Sequence, residues 1–187
     1  GRFLVSRSSL GLVVDERAVN RVELWDIKKG LIMEAEVPSR ITCIAPRQNG
    51  YVAGCFEGEV ILIDQDLQVS TISKSEYTIS DVLEWEGDIM FSCWFFVERM
   101  NQSGAKIWSF EHQNLVKGML KIGDDRIVVF GKGGDANTGN HISLILPDAE
   151  TQEDITSSKS KIGAIELSDE KHLSLIHISE PTRLRRI

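Results

Sequence analysis

The chain has 187 residues, of which 42% are hydrophobic and 26% are charged, and its formal net charge is −7. This length suffices for one domain with its own core, and the composition is that of an ordinary globular protein. The acidic balance argues against a nucleic-acid partner, because nucleic-acid binders usually carry a basic face. We expect no membrane partner either, since no window approaches the ~18 consecutive apolar residues of a membrane span.

Taken in chain order, the sequence repeats itself about every 40 residues. Stretches of alternating strand character run into polar turn residues such as DIKKG, DQD, NQSG and PDAE, and they begin at Val22, Val60, Val97 and Ile142. Pairs of short apolar runs separated by a Gly, Asp or Asn turn begin at Ile41, Ile79, Val116 and Ile162. The opening stretch RFLVSRSSLGLVVD fits the same frame more loosely. One unit is therefore four short strands joined by turns.

Many short strands at even spacing, without helical periodicity, predict an all-β fold. A period of about 40–45 residues with four strands per unit is typical of a propeller blade. We therefore predict a partial β-propeller, with about four four-stranded antiparallel blades plus the start of another in an open, incomplete ring. The predicted blades are 1–37, 38–75, 76–112 and 113–160, and the next begins at 161–172.

The stretch VELWDIKKG resembles the third strand of a WD repeat, ending in Trp25-Asp26 and followed by a polar hairpin to Gly30. The resemblance covers nearly all of residues 1–172, but the other units have different pairs at this place: Ile63-Asp64, Met100-Asn101 and Ile145-Leu146. No Gly-His pair precedes a first strand, so the hydrogen-bonded Asp–His–Ser/Thr–Trp set of regular WD repeats cannot be assembled. The units resemble degenerate WD repeats, and kelch-type and quinoprotein-type propellers stay open.

The resemblance implies a protein–protein interaction scaffold, because WD-like propellers are similar in binding partners through their rim loops. The loop between strands two and three of the third unit contains Trp94 and Phe95, and exposed aromatic residues favour protein interfaces. The alternative is that IMFSCWFFV is simply a buried strand. The corresponding loop of the fourth unit, GKGGDANTGN, contributes Lys132, Asp135 and Asn137 as further candidate protein-binding residues.

Ligand-binding interpretations of this fourth loop fail on residue order. A P-loop needs Lys after its last Gly, followed by Ser or Thr, whereas Lys132 comes early and Thr138 is out of place. A calcium loop needs a third Asp or Asn and a later Glu, where Gly139 and Ile142 stand. Since no Cys–His or Asp–His spacing suggests a metal or a nucleophile, we expect no cofactor, no metal and no catalytic residue.

Cys43, Cys55 and Cys93 have no paired spacing, which argues against a disulfide framework. We expect small buried thiols in a reducing compartment, and therefore an intracellular, cytoplasmic protein. Two alternatives to the scaffold remain: the chain is the propeller portion of a larger enzyme whose catalytic domain is lost by truncation, or it is a fragment without independent function.

The final segment, Leu173–Ile187, differs from the rest of the chain. Its stretch LSLIHISEPTR resembles a translated transposase adapter from a sequencing library, and Ile187 fits the next fixed part of such an adapter. The alternative is a natural amphipathic or basic tail. We expect a non-native, disordered tail that carries no functional residue.

Overall fold

The computed structural model describes residues 1–8, 20–112, 114–122, 126–132, 140–145, 152–158, 162–169 and 172–177. Every regular element in these residues is a β-strand, so the prediction of an all-β fold is confirmed. Within the same residues, no helix has the length and apolar character needed to cross a membrane. The chain divides into two compact units, Gly1–Glu111 and His112–Ile187.

The first unit contains three antiparallel sheets, each made of strands that follow one another in the chain. Sheet A consists of β1 (Arg2–Arg7), β2 (Arg21–Asp26) and β3 (Gly30–Glu36). Sheet B consists of β4 (Ile41–Arg47), β5 (Gly50–Cys55), β6 (Glu59–Ile63) and β7 (Val69–Lys74). Sheet C consists of β8 (Ile79–Trp85), β9 (Asp88–Cys93), β10 (Phe96–Met100) and β11 (Lys106–Glu111). Sheets B and C thus have the predicted four strands, whereas sheet A has three among the described residues.

The second unit contains two antiparallel sheets. Sheet D consists of β12 (Leu115–Ile122), β13 (Arg126–Lys132), β14 (Asn140–Ile145) and β15 (Gln152–Ser158). Sheet E consists of β16 (Ile162–Asp169) and β17 (His172–His177), and β16 lies against β12 and β13.

Strand β17 includes Leu173–His177, which belongs to the segment expected to be disordered. The alternating residues SLIHI suit a strand, and the backbone pairs antiparallel with β16. Leu173–His177 are thus part of a strand where disorder was expected, because their backbone pairs with a neighbouring strand. Residues 178–187 of the segment lie outside the described residues.

The turn before the last strand is built in the same way in sheets A, B and C. Asp26, Asp64 and Asn101 begin these turns, and each side-chain Oδ1 accepts hydrogen bonds from two backbone N–H groups at 2.8–3.0 Å. Such bonds satisfy turn donors that the strands leave unpaired. The predicted turns DIKKG, DQD and NQSG are confirmed, and PDAE lies outside the described residues.

Register shifts recur at matching places in the sheets, each leaving one residue without an opposite partner. In the first strands the extra residues are Thr42, Ser80 and Lys117. In the last strands of sheets A to D they are Ile32, Ile72, Ile107 and Ile155. Bulges of this kind increase the right-handed twist of a sheet. No turn residue or periodicity in the sequence predicts them.

Sheet B is buried on both faces. Ile61 and Ile63 pack with Val22 of sheet A in one core cluster. The alternate residue Val60 belongs to a second cluster with Phe91 of sheet C. Each fully buried aliphatic or aromatic side chain stabilises the fold by roughly 1.5–3 kcal/mol. Sheets A, B and C therefore pack face to face in the order of the chain.

The contact between sheets B and C requires a glycine at Gly54. A Cβ atom at this position would come within 2.7 Å of the Cys43 Sγ atom and would also collide with the side chain of Ile79. Such a separation is shorter than van der Waals contact, so any larger residue would push the two sheets apart.

The cysteines are unpaired, as predicted: Cys55 and Cys93 are buried and Cys43 is half-buried. Desolvation raises the pKa of the Cys43 thiol and of the Cys55 thiol to about 11. These thiols are therefore protonated at neutral pH and pack as small apolar groups.

Candidate protein-binding surface

Three connections meet along one edge of sheets B and C. They are the β5–β6 turn, the β9–β10 turn and the connection from β7 to β8. The backbone N–H of Ser75 donates to the Gly58 carbonyl at 2.8 Å. The Thr78 hydroxyl donates to the Phe56 carbonyl at 2.6 Å. These bonds hold the β7–β8 connection against the turn of sheet B and so fix the side chains on both.

Four aromatic side chains from these connections, Phe56, Tyr77, Trp94 and Phe95, form what we call the aromatic rim. The rings of Tyr77 and Trp94 stack at 5.4 Å and 17°, and Trp94 meets Phe95 edge to face at 5.5 Å and 85°. Phe56, Tyr77 and Trp94 are 48%, 39% and 49% exposed. The Arg40 guanidinium lies 4.5 Å from the Phe56 ring centre, which is a cation–π contact. The aromatic rim is therefore an ordered apolar surface open to solvent.

Trp94 holds an unusual backbone conformation for a large residue, with φ of +53°. In two-residue hairpin turns a positive φ favours glycine, because a Cβ atom is crowded there. Such a conformation persists only when surrounding contacts hold it, and it often marks a functional position. The stack on Tyr77 and the edge contact with Phe95 are the contacts that hold Trp94.

A cleft of about 430 Å³ lies beside Tyr77, between the β7–β8 connection and sheet C. Phe91 and Phe96 give it apolar walls. Lys106 Nζ and Glu98 Oε1 form an ion pair of 2.7 Å in its lining. The cleft can therefore accept an apolar side chain of a partner, while the partner's backbone next to it contacts the charged groups of Lys106 and Glu98.

A polar network around the buried Glu59 side chain stabilises the β5–β6 turn. The Ser39 hydroxyl donates to Glu59 Oε2 at 2.7 Å and accepts from the backbone N–H of Glu57 at 3.2 Å. Lys74 Nζ donates to Glu59 Oε1 at 2.9 Å. Desolvation raises the pKa of Glu59, but the hydrogen bonds from Lys74 and Ser39 outweigh it, so that the pKa lies below its usual value. The carboxylate thus stays charged and holds the turn in place.

Two of the five residues predicted as candidate binding residues lie in the aromatic rim. Trp94 and Phe95 form the β9–β10 turn, and the exposure of Trp94 excludes the alternative of a continuous buried strand. Lys132 ends β13. Asp135 and Asn137 lie outside the described residues.

Phe56 and Tyr77 belong to the aromatic rim but were not predicted. Phe56 occupies the turn of sheet B that matches the Trp94 turn of sheet C, so the repeat itself could have indicated it. Tyr77 gives no such signal, because its place on the rim depends on how the β7–β8 connection folds back. In the described part of the chain, no group of three or more His, Cys, Asp or Glu residues is arranged to hold a metal ion.

Comparison with known proteins defines the fold and no more. No protein-family model and no curated protein sequence matches the chain. It is similar to the crystal structure of the computationally designed Ika4 protein, with a TM-score of 0.61 and 15% identity over 76% of this chain and 94% of that one. It is also similar to the computationally designed Ika8 protein, with a TM-score of 0.66 and 16% identity over 84% of this chain and 52% of that one. The chain therefore spans about half the length of Ika8.

Proposed function

We propose that the chain is a WD-like partial β-propeller and an intracellular interaction scaffold, which binds other proteins through the aromatic rim. Support for the propeller is the stacking of sheets A, B and C in chain order, each formed from consecutive antiparallel strands. Both faces of sheet B are apolar, and each packs against a neighbouring sheet. A propeller blade needs a neighbour on each face for the same reason.

The observation that carries the proposed function is the exposed stack of Tyr77 on Trp94. A large aromatic side chain can bury 150–250 Å², and leaving it in water forgoes that stabilisation. Aromatic residues that are held rigidly lose little conformational entropy on binding, which is why Trp and Tyr dominate binding hot spots. A partner that covers the Tyr77–Trp94 stack and inserts an apolar side chain into the cleft beside Tyr77 would gain contacts at both places.

A binding role, rather than an enzymatic one, agrees with the chemistry of the thiols. Burial raises the pKa of Cys43 and of Cys55 to about 11, so neither thiol is a ready nucleophile. Unpaired, largely buried cysteines also favour an intracellular location.

The test is a peptide-display selection on the full chain, followed by affinity measurements on the selected peptides by fluorescence polarisation. Trp94→Gly removes the ring while relieving the positive φ, so it should leave the fold intact. We expect it to weaken binding by about tenfold or more. The matched control is Ile27→Ala, which removes an exposed side chain from the β2–β3 turn of sheet A.

The two variants separate the aromatic rim from general surface stickiness. The proposal requires the Ile27→Ala affinity to equal that of the unaltered chain. Peptides that bind the Trp94→Gly variant as tightly as the unaltered chain would show that the aromatic rim is not the binding surface.

A further inference from the structure

The outer face of sheet A, which points away from sheet B, carries a partly exposed apolar patch. Phe3, Trp25 and Leu31 lie side by side across the three strands of the sheet. Phe3 is 44% exposed and Leu31 is 45% exposed. Apolar side chains grouped in this way on a sheet face mark a surface that another structure covers.

The matching face of sheet B shows what such a patch does when a neighbour is present. When Asp26 is aligned with Asp64, the three patch residues correspond in register to Tyr51, Ile63 and Val69. All three of these pack into the core cluster shared with sheet A. The patch on sheet A therefore has the composition of a packing face.

The other end of the outer face is charged, and this restricts what can cover it. Glu23 is buried and its Oε1 lies 2.9 Å from Arg7 Nε and 3.7 Å from Arg21 Nε. Arg21 also pairs with Glu34 at 3.0 Å. In sheet B the position of Glu23 is taken by Ile61, which is fully buried. A neighbour with a purely apolar face would remove water from these ion pairs without offering further hydrogen-bond partners, at a high cost.

The charges are arranged so that a second copy of the sheet complements the first. Arg7 lies on β1 at one side of the face, and Glu36 lies in the same row on β3 at the other side. Among the described residues Glu36 forms no ion pair. A two-fold axis running along β2 would place β1 of each copy over β3 of the other, and so Arg7 over Glu36 of the second copy.

We propose that two copies of this chain associate through the outer faces of their A sheets, related by that axis. The same rotation places Phe3 over Leu31 of the second copy and Trp25 over its own equivalent. Arg21 also meets its own equivalent near the axis, where Glu23 and Glu34 of each sheet neutralise it. An interface of this type is isologous, and the two faces pack about 10 Å apart.

A two-fold axis at right angles to the strands is excluded by the same residues. It would bring Phe3 over Arg7 of the second copy and leave the apolar end of each face against the charged end of the other. Of the two axes, only the axis along β2 matches the two end rows, with apolar over apolar residues in one and Arg7 over Glu36 in the other, while the middle row places Val5 over Glu34.

The test begins with the full chain in analytical ultracentrifugation from about 1 µM to about 500 µM. A face of three strands is at the small end of specific interfaces, so we expect dimers with a dissociation constant on the order of 10 µM. Leu31→Glu should weaken association at least tenfold, whereas Ile107→Glu, which changes an exposed residue of sheet C, should not. A chain that stays monomeric throughout, or a dimer that Leu31→Glu leaves unchanged, overturns the proposal.

A charge exchange tests the orientation of the two copies. Glu36→Arg should weaken self-association, because it meets Arg7 of the second copy. Arg7→Glu should do the same for the opposite reason. An equimolar mixture of the two variants should recover the dimer, since each altered residue then faces an opposite charge. A Glu36→Arg variant that self-associates normally, or a mixture that stays monomeric while both variants retain the native far-UV circular dichroism, overturns this arrangement.

Discussion

Sheets A and B both consist of consecutive antiparallel strands and share the turn chemistry and the bulge of the last strand, yet they differ in burial. In sheet B both faces lie in core clusters, with Ile61 on one side and Val60 on the other. In sheet A the face with Val22 lies in a core cluster, whereas Leu31 on the other face is exposed. The difference teaches that the repeat determines the strands and turns of each sheet, whereas the neighbouring sheets determine which of its side chains are buried.

The type of residue at a given repeat position also differs between sheets A and B. The position that is Ile61 in sheet B is Glu23 in sheet A, where Arg7 and Arg21 neutralise it. A charged residue at this place is tolerated because Arg7 and Arg21 lie beside its carboxylate. The two sheets can therefore be compared position by position, and substitutions at matched positions should have unequal effects.

The largest expected difference is between two truncations of aliphatic side chains. Ile61→Ala should lower the free energy of unfolding by about 3–4 kcal/mol, because it leaves a cavity between sheets A and B. Leu31→Ala should cost less than about 1 kcal/mol, since its side chain is partly solvated already. Urea denaturation of both variants gives the two values. Equal losses would contradict the unequal burial of the sheets.

A smaller difference is expected for added methyl groups. Gly54→Ala should destabilise the fold by about 2 kcal/mol, because the new Cβ atom collides with Ile79 and Cys43. Ser6 occupies the matching position on β1 and is exposed. Ser6→Ala should therefore change stability by less than about 0.5 kcal/mol. Thermal unfolding followed by circular dichroism would measure both, and a neutral Gly54→Ala would mean that sheets B and C are not in close contact.

Substitutions in the matching turns should lower the free energy of unfolding equally in sheets A, B and C, because these turns are built alike. Asp26→Ala, Asp64→Ala and Asn101→Ala each remove an acceptor of two backbone hydrogen bonds. We expect each to cost about 1 kcal/mol of unfolding free energy. Denaturant titration of the three variants is the measurement. A loss confined to one turn would contradict their structural equivalence.

The smallest expected effect is a pH dependence that belongs to sheet B. The pKa of Glu59 is lowered from 4.5 in the folded protein, so its contribution is fully present above that pH. It is lost as the pH falls through 4.5 and then through the lower folded value. Glu59→Gln should flatten the decline of the melting temperature as the pH falls below 4.5. The corresponding residue of sheet A is Arg21, whose replacement by Lys is the control.

The strands and turns could be predicted because their signals are local. Alternation in VELWD and EVILID and turn residues such as Asp64 depend only on neighbours in the chain. The bulges at Ile32, Ile72 and Ile107 could not be predicted, because a bulge shows itself only against the opposite strand. Disorder was expected for Leu173–His177, yet these residues form part of β17 because β16 offers them a partner.

The candidate site shows the same division. Trp94 and Phe95 could be predicted as rim residues because they interrupt a strand pattern at the repeat position of a turn. Tyr77 could not, because its stack on Trp94 depends on the Thr78 and Ser75 hydrogen bonds that fold the β7–β8 connection back. The Ser39–Glu59–Lys74 network was also missed, since its members come from separate strands and loops.

The sequence by itself determined that this chain is all-β and repeats a strand–turn unit, because strand alternation and turn chemistry act over a few residues. Tertiary structure alone decided which faces are buried, which aromatic rings stack and which charges meet. Those outcomes depend on distances between strands far apart in the chain, and no local pattern carries that information. Hence Glu23 and Ile61, which occupy the same place in the repeat and are both buried, differ in their surroundings: Glu23 is ion-paired and Ile61 lies in an apolar core.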